Sequence, residues 1–331
     1  MSADSSSPGP TAAARRVDFA TFWRAMPNAC LLLCWVVAWS VLFEFWGNST
    51  LGYINTPSLF RWWWWTIRGI EDQELAYAIP AIVLGLIWWR REEIAAMPNR
   101  LWWPALGLLL LAALLHVLGF RIQQARVSVA AYFAGIYALT GLAWGWGWLR
   151  ATLFPFALLV FCVPMGSGAE PLTVPLRLAA TKITAILCRV LGVNVIHQGN
   201  MLFDAAGDYQ YEVAAACSGI KSLTTIVAFA VIFGYICLKS TWRRMLVAGT
   251  AIPMAVAANV CRLTMIVLAS ETFGRKAGEY VHNSGWLSLV PYIPAFGGIA
   301  LATYVLLENR KRRPRAGGPA LLQAAKAESK P

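Results

Sequence analysis

Eight apolar runs follow one another along the 331-residue chain, separated by polar or turn-forming stretches. A helix needs about 20 mostly apolar residues to cross the hydrocarbon core of a bilayer. Six runs are close to that length or longer, whereas the second and the fifth are shorter, so their ends are the least defined. The pattern predicts eight transmembrane helices, over residues 29–47, 75–89, 102–120, 127–149, 152–166, 213–238, 245–270 and 289–307.

The segment between the fifth and sixth runs, residues 167–212, has a different pattern. Two short extended pieces, NVIHQGNMLF and YQYEV, flank the turn-rich stretch DAAGD and predict a small β-hairpin. Before them, apolar residues with cations in between recur at the spacing of an amphipathic helix that lies on the membrane surface. These apolar residues are Leu176, Ala180, Ile183, Leu187 and Val190.

The predicted fold is therefore an all-α integral membrane protein of about eight transmembrane helices, with a small extracytoplasmic cap formed by the amphipathic helix and the β-hairpin. Composition agrees with this interpretation, because 58% of the residues are hydrophobic, 13% are charged and the mean hydropathy is +0.56. No soluble core needs so much apolar surface.

Basic residues fix the expected orientation. With both termini in the cytoplasm, 17 of the 28 Lys and Arg residues lie on the cytoplasmic side and nine on the other side. Cytoplasmic loops of membrane proteins carry such an excess. The net charge of +12 is then mainly a topology signal, and no basic stretch interleaved with aromatic residues predicts nucleic-acid binding.

The chain divides into three predicted regions. Residues 1–28 form a polar cytoplasmic tail without a cleavable signal, because the apolar run that follows is long enough to stay as an anchor. Residues 29–307 form a single polytopic membrane domain, with the cap at about 167–212 and the catalytic motifs at about 212–286. Residues 308–331 form a basic cytoplasmic tail.

Reactive side chains gather at the predicted outer ends of the late spans. Cys217 lies about one helical turn inside the sixth span, and Lys221, four residues later, shares its face. Asn259 and Arg262 share a face in the outer half of the seventh span. An arginine inside a membrane span is energetically costly, so its presence there indicates a functional role. His282 lies in the outer loop that follows.

A thiol, a guanidinium and an imidazole suit acyl transfer. Neighbouring cations favour the nucleophilic thiolate of a cysteine, a histidine can protonate a leaving amine, and a fixed arginine can stabilise an oxyanion. Gly219, separated from the thiol by Ser218, would let a peptide backbone approach. His116 and His197 also map to the outer side and compete with His282 for its role.

Other interpretations stay open. Cys217 and Gly219 could be packing residues, and Lys221 could extend to the interface. A transporter or flippase could bind an anionic solute with Lys221 and Arg262, although no inverted halves are visible. A serine hydrolase using Ser218 lacks a GxSxG turn. No HExxH motif and no Cys/His ligand set is present, so no metal or cofactor is expected.

The late spans contain the short motifs ACSGIKS, NVCR and HNSGW, in that order. Together these motifs resemble the exosortase/archaeosortase family. The stretch HQGNMLF is similar to the segment that precedes the family's cysteine. This chain departs from the family in one respect, because many exosortases carry Glu-Ala directly before the cysteine. Here Ala215 and Ala216 occupy those places, and Glu212 stands five positions upstream of the cysteine. The matching stretches are HQGNMLF at 197–203, ACSGIKS at 216–222, NVCR at 259–262 and HNSGW at 282–286.

The resemblance implies roles and a substrate class. Family members are polytopic cysteine transpeptidases or proteases, so Cys217 would be the nucleophile, Arg262 the transition-state stabiliser and His282 the general acid/base. Their substrates are membrane-anchored proteins with a C-terminal sorting tail, made of a short motif such as Pro-Glu-Pro, a transmembrane helix and a basic cluster. The expected location is the cell inner membrane with the site facing outward, and a lipid or glycan is a candidate acceptor.

Overall fold

A computed structural model describes residues 18–47, 56–70, 75–164, 170–199, 201–204, 210–211, 220–284 and 286–308. The described chain is mainly helical, and its contacts group it into two compact units, Met1–Met165 and Gly166–Pro331. The prediction of a single membrane domain over 29–307 stays a prediction.

The first unit contains helices of very different lengths. A π-helical turn, Thr66–Ile70, extends α3, and a 3-10 turn, Leu158–Cys162, extends α8. In chain order the helices are α1 (Phe19–Ala25), α2 (Ala29–Phe45), α3 (Leu59–Trp65), α4 (Leu75–Trp89), α5 (Arg91–Ala95), α6 (Pro104–Arg121), α7 (Ala125–Trp144) and α8 (Trp146–Ala157).

The second unit combines five helices with a small sheet in its described part. A 3-10 turn, Leu287–Leu289, precedes the last helix. The elements are α9 (Glu170–Val190), β1 (Val195–Gln198), β2 (Met201–Asp204), β3 (Gln210–Tyr211), α10 (Ile220–Cys237), α11 (Thr241–Phe273), α12 (Arg275–Asn283) and α13 (Tyr292–Glu308).

A helix occupies each of the eight predicted spans. Among the described residues, α6, α7 and α11 are by themselves long and apolar enough to cross a membrane. Together α1 and α2 also meet that criterion, with a bend of 82° between them. The apolar helices in the other four spans are shorter. The prediction of a mainly helical membrane protein is therefore confirmed, while the number of eight spans stays a prediction.

A helical hairpin, α10 and α11, forms the centre of the second unit. The two helices are joined by residues 238–240, and Gly234 of α10 faces Val247 of α11 so closely that an added Cβ would lie 3.6 Å from the Val247 Cβ. Further up the hairpin, Leu223 and Ile226 pack in one apolar cluster with α11. This contact fixes the register of the two antiparallel helices.

Helix α9 runs beside α11 in the same direction. Its Leu176 packs against the apolar cluster of the hairpin, whereas Ala185 and Cys188, further along, pack with Leu263 and Val267 of α11. A helix is thus present in the segment where the amphipathic helix was predicted, and it lies lengthwise along α11. Its place on the membrane surface stays a prediction.

The two faces of α9 have an unusual distribution of polarity. Threonines lie on the face that is buried within the unit, and Thr181 and Thr184 are fully buried. Much of the predicted apolar face is exposed, with Val190 at 77% and Ile183 at 46% of their full accessible surface. A helix in water would bury the apolar face, so this arrangement favours contact of that face with lipid.

The cap segment contains three described strands instead of a single hairpin of two long pieces. The stretch NVIHQGNMLF itself folds back, because Gly199 adopts a left-handed conformation with a φ of +59° and ends β1. Strands β1 and β2 pair antiparallel, and β2 pairs antiparallel with β3. Val195 and Leu202 on the inner face of the sheet join the apolar cluster formed with α9 and α11.

Candidate active site

The cation of the candidate site lies in the second half of α11. Arg262 is partly buried, and its Nε atom is inaccessible to solvent and has no hydrogen-bond partner among the described residues. Asn259, one turn earlier on the same face, is buried. A guanidinium is planar and can donate five hydrogen bonds, so an unused Nε leaves capacity for a ligand.

The register of the hairpin brings the start of α10 to the level of Arg262. Arg262 lies fifteen residues after Val247, and Ile220 lies fourteen residues before Gly234, the residue that faces Val247. Because both helices rise by the same distance per residue, Ile220 and Arg262 stand at nearly the same height along the hairpin.

The predicted nucleophile segment immediately precedes this point. Cys217, Ser218 and Gly219 lie outside the described residues. Lys221 is the second residue of α10, but its side chain also lies outside the described part of the structure. The structure therefore shows at which level along α11 helix α10 begins. The roles of Cys217, Ser218, Gly219 and Lys221 stay predictions.

His282 lies in a helix, although the sequence suggested a loop. Gly274, with a φ of +85°, ends α11, and α12 then returns along α11. Gly278 allows this return, because a Cβ there would collide with the Ser270 Oγ and would lie 3.3 Å from the Ile266 carbonyl oxygen. His282 is one further turn along α12, which brings it to a level between Ile266 and Arg262.

Buried polar atoms without partners gather at the same level of α11. The hydroxyls of Thr184 on α9 and Thr264 on α11 have no hydrogen-bond partner among the described residues, and neither does Nε2 of His197 on β1. Each such atom costs about 1 to 3 kcal/mol, so a group of them calls for a reason such as bound water or a ligand.

Thr184 and Thr264 were not among the residues that the sequence singled out. A threonine inside an apolar helix is common and gives no signal of its own. Thr264 is two residues after Arg262 on the same helix, whereas the proximity of Thr184 to this level follows only from the packing of α9 along α11. No group of three or more His, Cys, Asp or Glu side chains among the described residues could hold a metal ion.

Of the two histidines that compete with His282 for its role, His116 is fully hydrogen-bonded within the protein. His116, in the first unit, has both ring nitrogens hydrogen-bonded, Nδ1 with the Ser128 Oγ at 3.1 Å and Nε2 with the Trp46 carbonyl oxygen at 3.0 Å. It is buried beside the ring of Phe43. A satisfied, buried imidazole is a structural residue, so His116 is not a candidate for proton transfer.

Comparison with known proteins gives one family. The searches of curated proteins and of solved structures found no match. A model of the transmembrane exosortase family matches residues 63–297, which is more than two thirds of the chain and includes Cys217, Arg262 and His282. The resemblance of the short motifs is thereby confirmed over most of the length: this membrane protein belongs to the transmembrane exosortase family.

Proposed function

We propose that this chain is a membrane-embedded cysteine transpeptidase or protease that cleaves C-terminal sorting signals through a thioester intermediate. Membership in the transmembrane exosortase family supports a transpeptidase or protease role in general terms. The assignment of individual residues rests on the arrangement of the second unit.

The observation that carries the proposal is the meeting of three elements at one level of α11. The start of α10, the side chain of Arg262 and the last turn of α12 with His282 all reach this level. They come from separate parts of the sequence. Arg262 and His282 belong to α11 and α12, and the predicted nucleophile, Cys217, is three residues before α10 in the sequence.

Chain connectivity supports the assignment of Cys217. The thiol belongs to the residue three positions before Ile220, and a chain extends by at most about 3.6 Å per residue. The Cα atom of Cys217 therefore lies within about 11 Å of the Cα atom of Ile220. Helices that pack side by side are about 8 to 10 Å apart, so this range is as large as the separation of two packed helices.

The reaction follows from the roles of the three side chains. The Cys217 thiolate attacks the scissile carbonyl carbon, and the guanidinium of Arg262 donates hydrogen bonds to the oxyanion that forms. His282 gives a proton to the departing amine as the carbon–nitrogen bond breaks, which leaves a thioester. An amine, a hydroxyl or water then attacks the thioester, gives up a proton and releases the thiolate.

The substrate enters from the bilayer. Its transmembrane helix would lie beside the late spans with the basic cluster in the cytoplasm, so that the short motif reaches the outer interface and the site. A lipid or glycan would be the acceptor in a transpeptidation. The enzyme would act in the cell inner membrane, on exported proteins of the Pro-Glu-Pro type.

Substitution of the nucleophile tests the proposal. A membrane-anchored reporter with a Pro-Glu-Pro motif, a transmembrane helix and a basic cluster is expressed with the protein, and its cleavage is followed by electrophoresis. Cys217→Ala should leave the reporter at full length. Cys261→Ala removes the thiol next to Arg262 and should leave cleavage unchanged, which makes it the matched control. Full cleavage by Cys217→Ala would refute the proposed function.

A further inference from the structure

His197 is a titratable residue of the second unit that has a buried polar atom and no role in the proposed reaction. The residue is partly buried, and its Nε2 atom is inaccessible to solvent and has no hydrogen-bond partner among the described residues. Imidazole nitrogens are strong donors or acceptors, and burying one without a partner is destabilising. His116, with both nitrogens bonded, shows how the same chain satisfies a histidine that only supports the fold.

The strand pattern gives the direction in which His197 points. Exposure alternates along β1, with Val195 buried, Ile196 exposed, His197 partly buried and Gln198 exposed. Val195 and His197 therefore share the inner face of the sheet. Val195 packs with Leu263 of α11, the residue directly after Arg262.

The sheet register extends this inner face toward the nucleophile segment. His197 lies opposite Leu202, which is fully buried, and Leu202 lies opposite Tyr211. Residues opposite one another in antiparallel strands are on the same face, so His197 and Leu202 share the inner face, and the backbone pairing continues to Tyr211. Tyr211 is six residues before Cys217, a reach of about 20 Å at most.

The end of α9 holds β1 in this position. The guanidinium of Arg189 donates to the Val195 carbonyl oxygen, with Nε at 3.4 Å and Nη2 at 3.3 Å. Ala185 and Cys188 of α9 also pack in the cluster that contains Val195. The backbone beside His197 is therefore fixed, and its unused nitrogen is held at a set position instead of moving with a loose strand.

We propose that His197 is a substrate-positioning residue whose Nε2–H donates a hydrogen bond to a backbone carbonyl of the peptide at the active site. The inference rests on the proposed function, since it needs a peptide substrate at the level of Arg262. The bond would form only in the complex, which accounts for a buried ring nitrogen without a partner among the described residues.

A pair of amide substitutions tests which ring nitrogen matters. In His197→Gln the amide nitrogen can occupy the position of Nε2, whereas in His197→Asn it can reach only that of Nδ1. We expect Gln to retain most of the kcat/KM for the reporter and Asn to lose about tenfold, the value of one hydrogen bond of about 1.4 kcal/mol. Equal activity of the two variants would overturn the proposal.

A second measurement separates substrate binding from an effect on the nucleophile segment. The rate at which iodoacetamide alkylates Cys217 is measured by mass spectrometry without any substrate, in the wild type and in His197→Phe. We expect His197→Phe to slow cleavage at least tenfold while alkylation changes less than twofold. If alkylation slows in parallel with cleavage, His197 acts on the nucleophile segment and the proposal is wrong.

The same assay distinguishes the two proposals. If Cys217→Ala is inactive and His197→Phe is fully active, only the role of His197 is refuted. If Cys217→Ala still cleaves the reporter, the proposed function itself fails. Thermal unfolding in detergent accompanies each variant, and a variant of lowered stability is assayed at a temperature where it remains folded.

Discussion

The two ends of α11 carry arginines in opposite circumstances. Near its start, Arg243 donates to the Leu306 carbonyl oxygen at 3.0 Å, and Arg244 donates to the carbonyl oxygens of Leu238 at 2.9 Å and Tyr235 at 3.3 Å. The Arg244 guanidinium also lies over the Tyr235 ring at 4.5 Å. Near the other end, Arg262 has a buried Nε without a partner among the described residues.

Arginines of one helix thus differ in whether the fold satisfies their hydrogen-bond donors. The last carbonyls of a helix have no partner within it and attract cations, so Arg243 and Arg244 complete the ends of α13 and α10. The Nε atom of Arg262 has no such partner among the described residues. An unused donor of this kind leaves capacity for a ligand, at the cost of an unsatisfied polar group.

The largest effect is expected from removing the charge at Arg262. Arg262→Gln should lower kcat/KM for the reporter about 10²- to 10³-fold, because an oxyanion donor of this kind contributes that much in other enzymes. Stability should change little, since Nε loses no hydrogen bond within the described residues. Cleavage assays and thermal unfolding in detergent provide the two readouts.

Arg262→Lys is the matched variant, because it keeps the charge and loses the planar set of donors. Cleavage should be intermediate between that of the wild type and that of Arg262→Gln. A strongly destabilised Arg262→Gln protein with normal cleavage per folded molecule would instead make Arg262 a structural residue like Arg244.

The next effect should come from Gly278, which contacts no substrate in our proposal. Gly278→Leu would force α12 away from Ser270 and displace His282 from the level of Arg262. We expect cleavage to fall at least tenfold, with a loss of stability of about 1 to 3 kcal/mol from overpacking. Gly297→Leu in α13 is the control, because an added Cβ there meets no atom within 4 Å. Equal cleavage by both variants would refute the positioning of His282 through α12.

At the start of α11 the effect should be on stability alone. Arg244→Ala removes two hydrogen bonds and a cation–π contact, and should lower the free energy of unfolding by about 1 to 3 kcal/mol. Arg243→Ala removes the hydrogen bond to the Leu306 carbonyl oxygen and should lower the free energy of unfolding by less. Cleavage per folded molecule should stay at the wild-type level for both. If either variant lost cleavage activity without losing stability, the purely structural role of Arg243 and Arg244 would be refuted.

The smallest effect is expected at a cysteine that packs near the same level of α11. Cys188 is fully buried, and burial together with the negative charge of Glu271 raises the pKa of its thiol. At neutral pH it should remain unlabelled by iodoacetamide in the folded protein, while Cys217 is alkylated. Mass spectrometry of the labelled peptides checks this, and equal labelling of both cysteines would contradict the distinction between a packing thiol and a nucleophile.

Much of the helical architecture was predictable because hydrophobic length is a local property. The predicted run 75–89 coincides with α4, and the other predicted spans overlap helices with shifts at their ends. The short second and fifth spans also proved helical. The resemblance of ACSGIKS, NVCR and HNSGW to exosortases was equally readable, since a motif is a property of neighbouring residues.

Other features of the candidate site could not be predicted from local sequence patterns. His282 was expected in a loop, but Gly274 and Gly278 let a short helix return along α11. The stretch NVIHQGNMLF looked like one extended piece, but Gly199 divides it into two paired strands. In both cases a glycine conformation, combined with a packing contact distant in sequence, decided the structure.

Apolar length and short motifs are local, so they were enough to identify a mainly helical membrane protein that resembles exosortases. Which polar groups share one level of the second unit depends on how its helices pack. The register of α10 against α11, the path of α9 and the return of α12 bring Ile220, Thr184 and His282 to the level of Arg262. The register of two helices depends on close contacts such as that of Gly234 with Val247. The periodicity of a single segment does not predict such contacts.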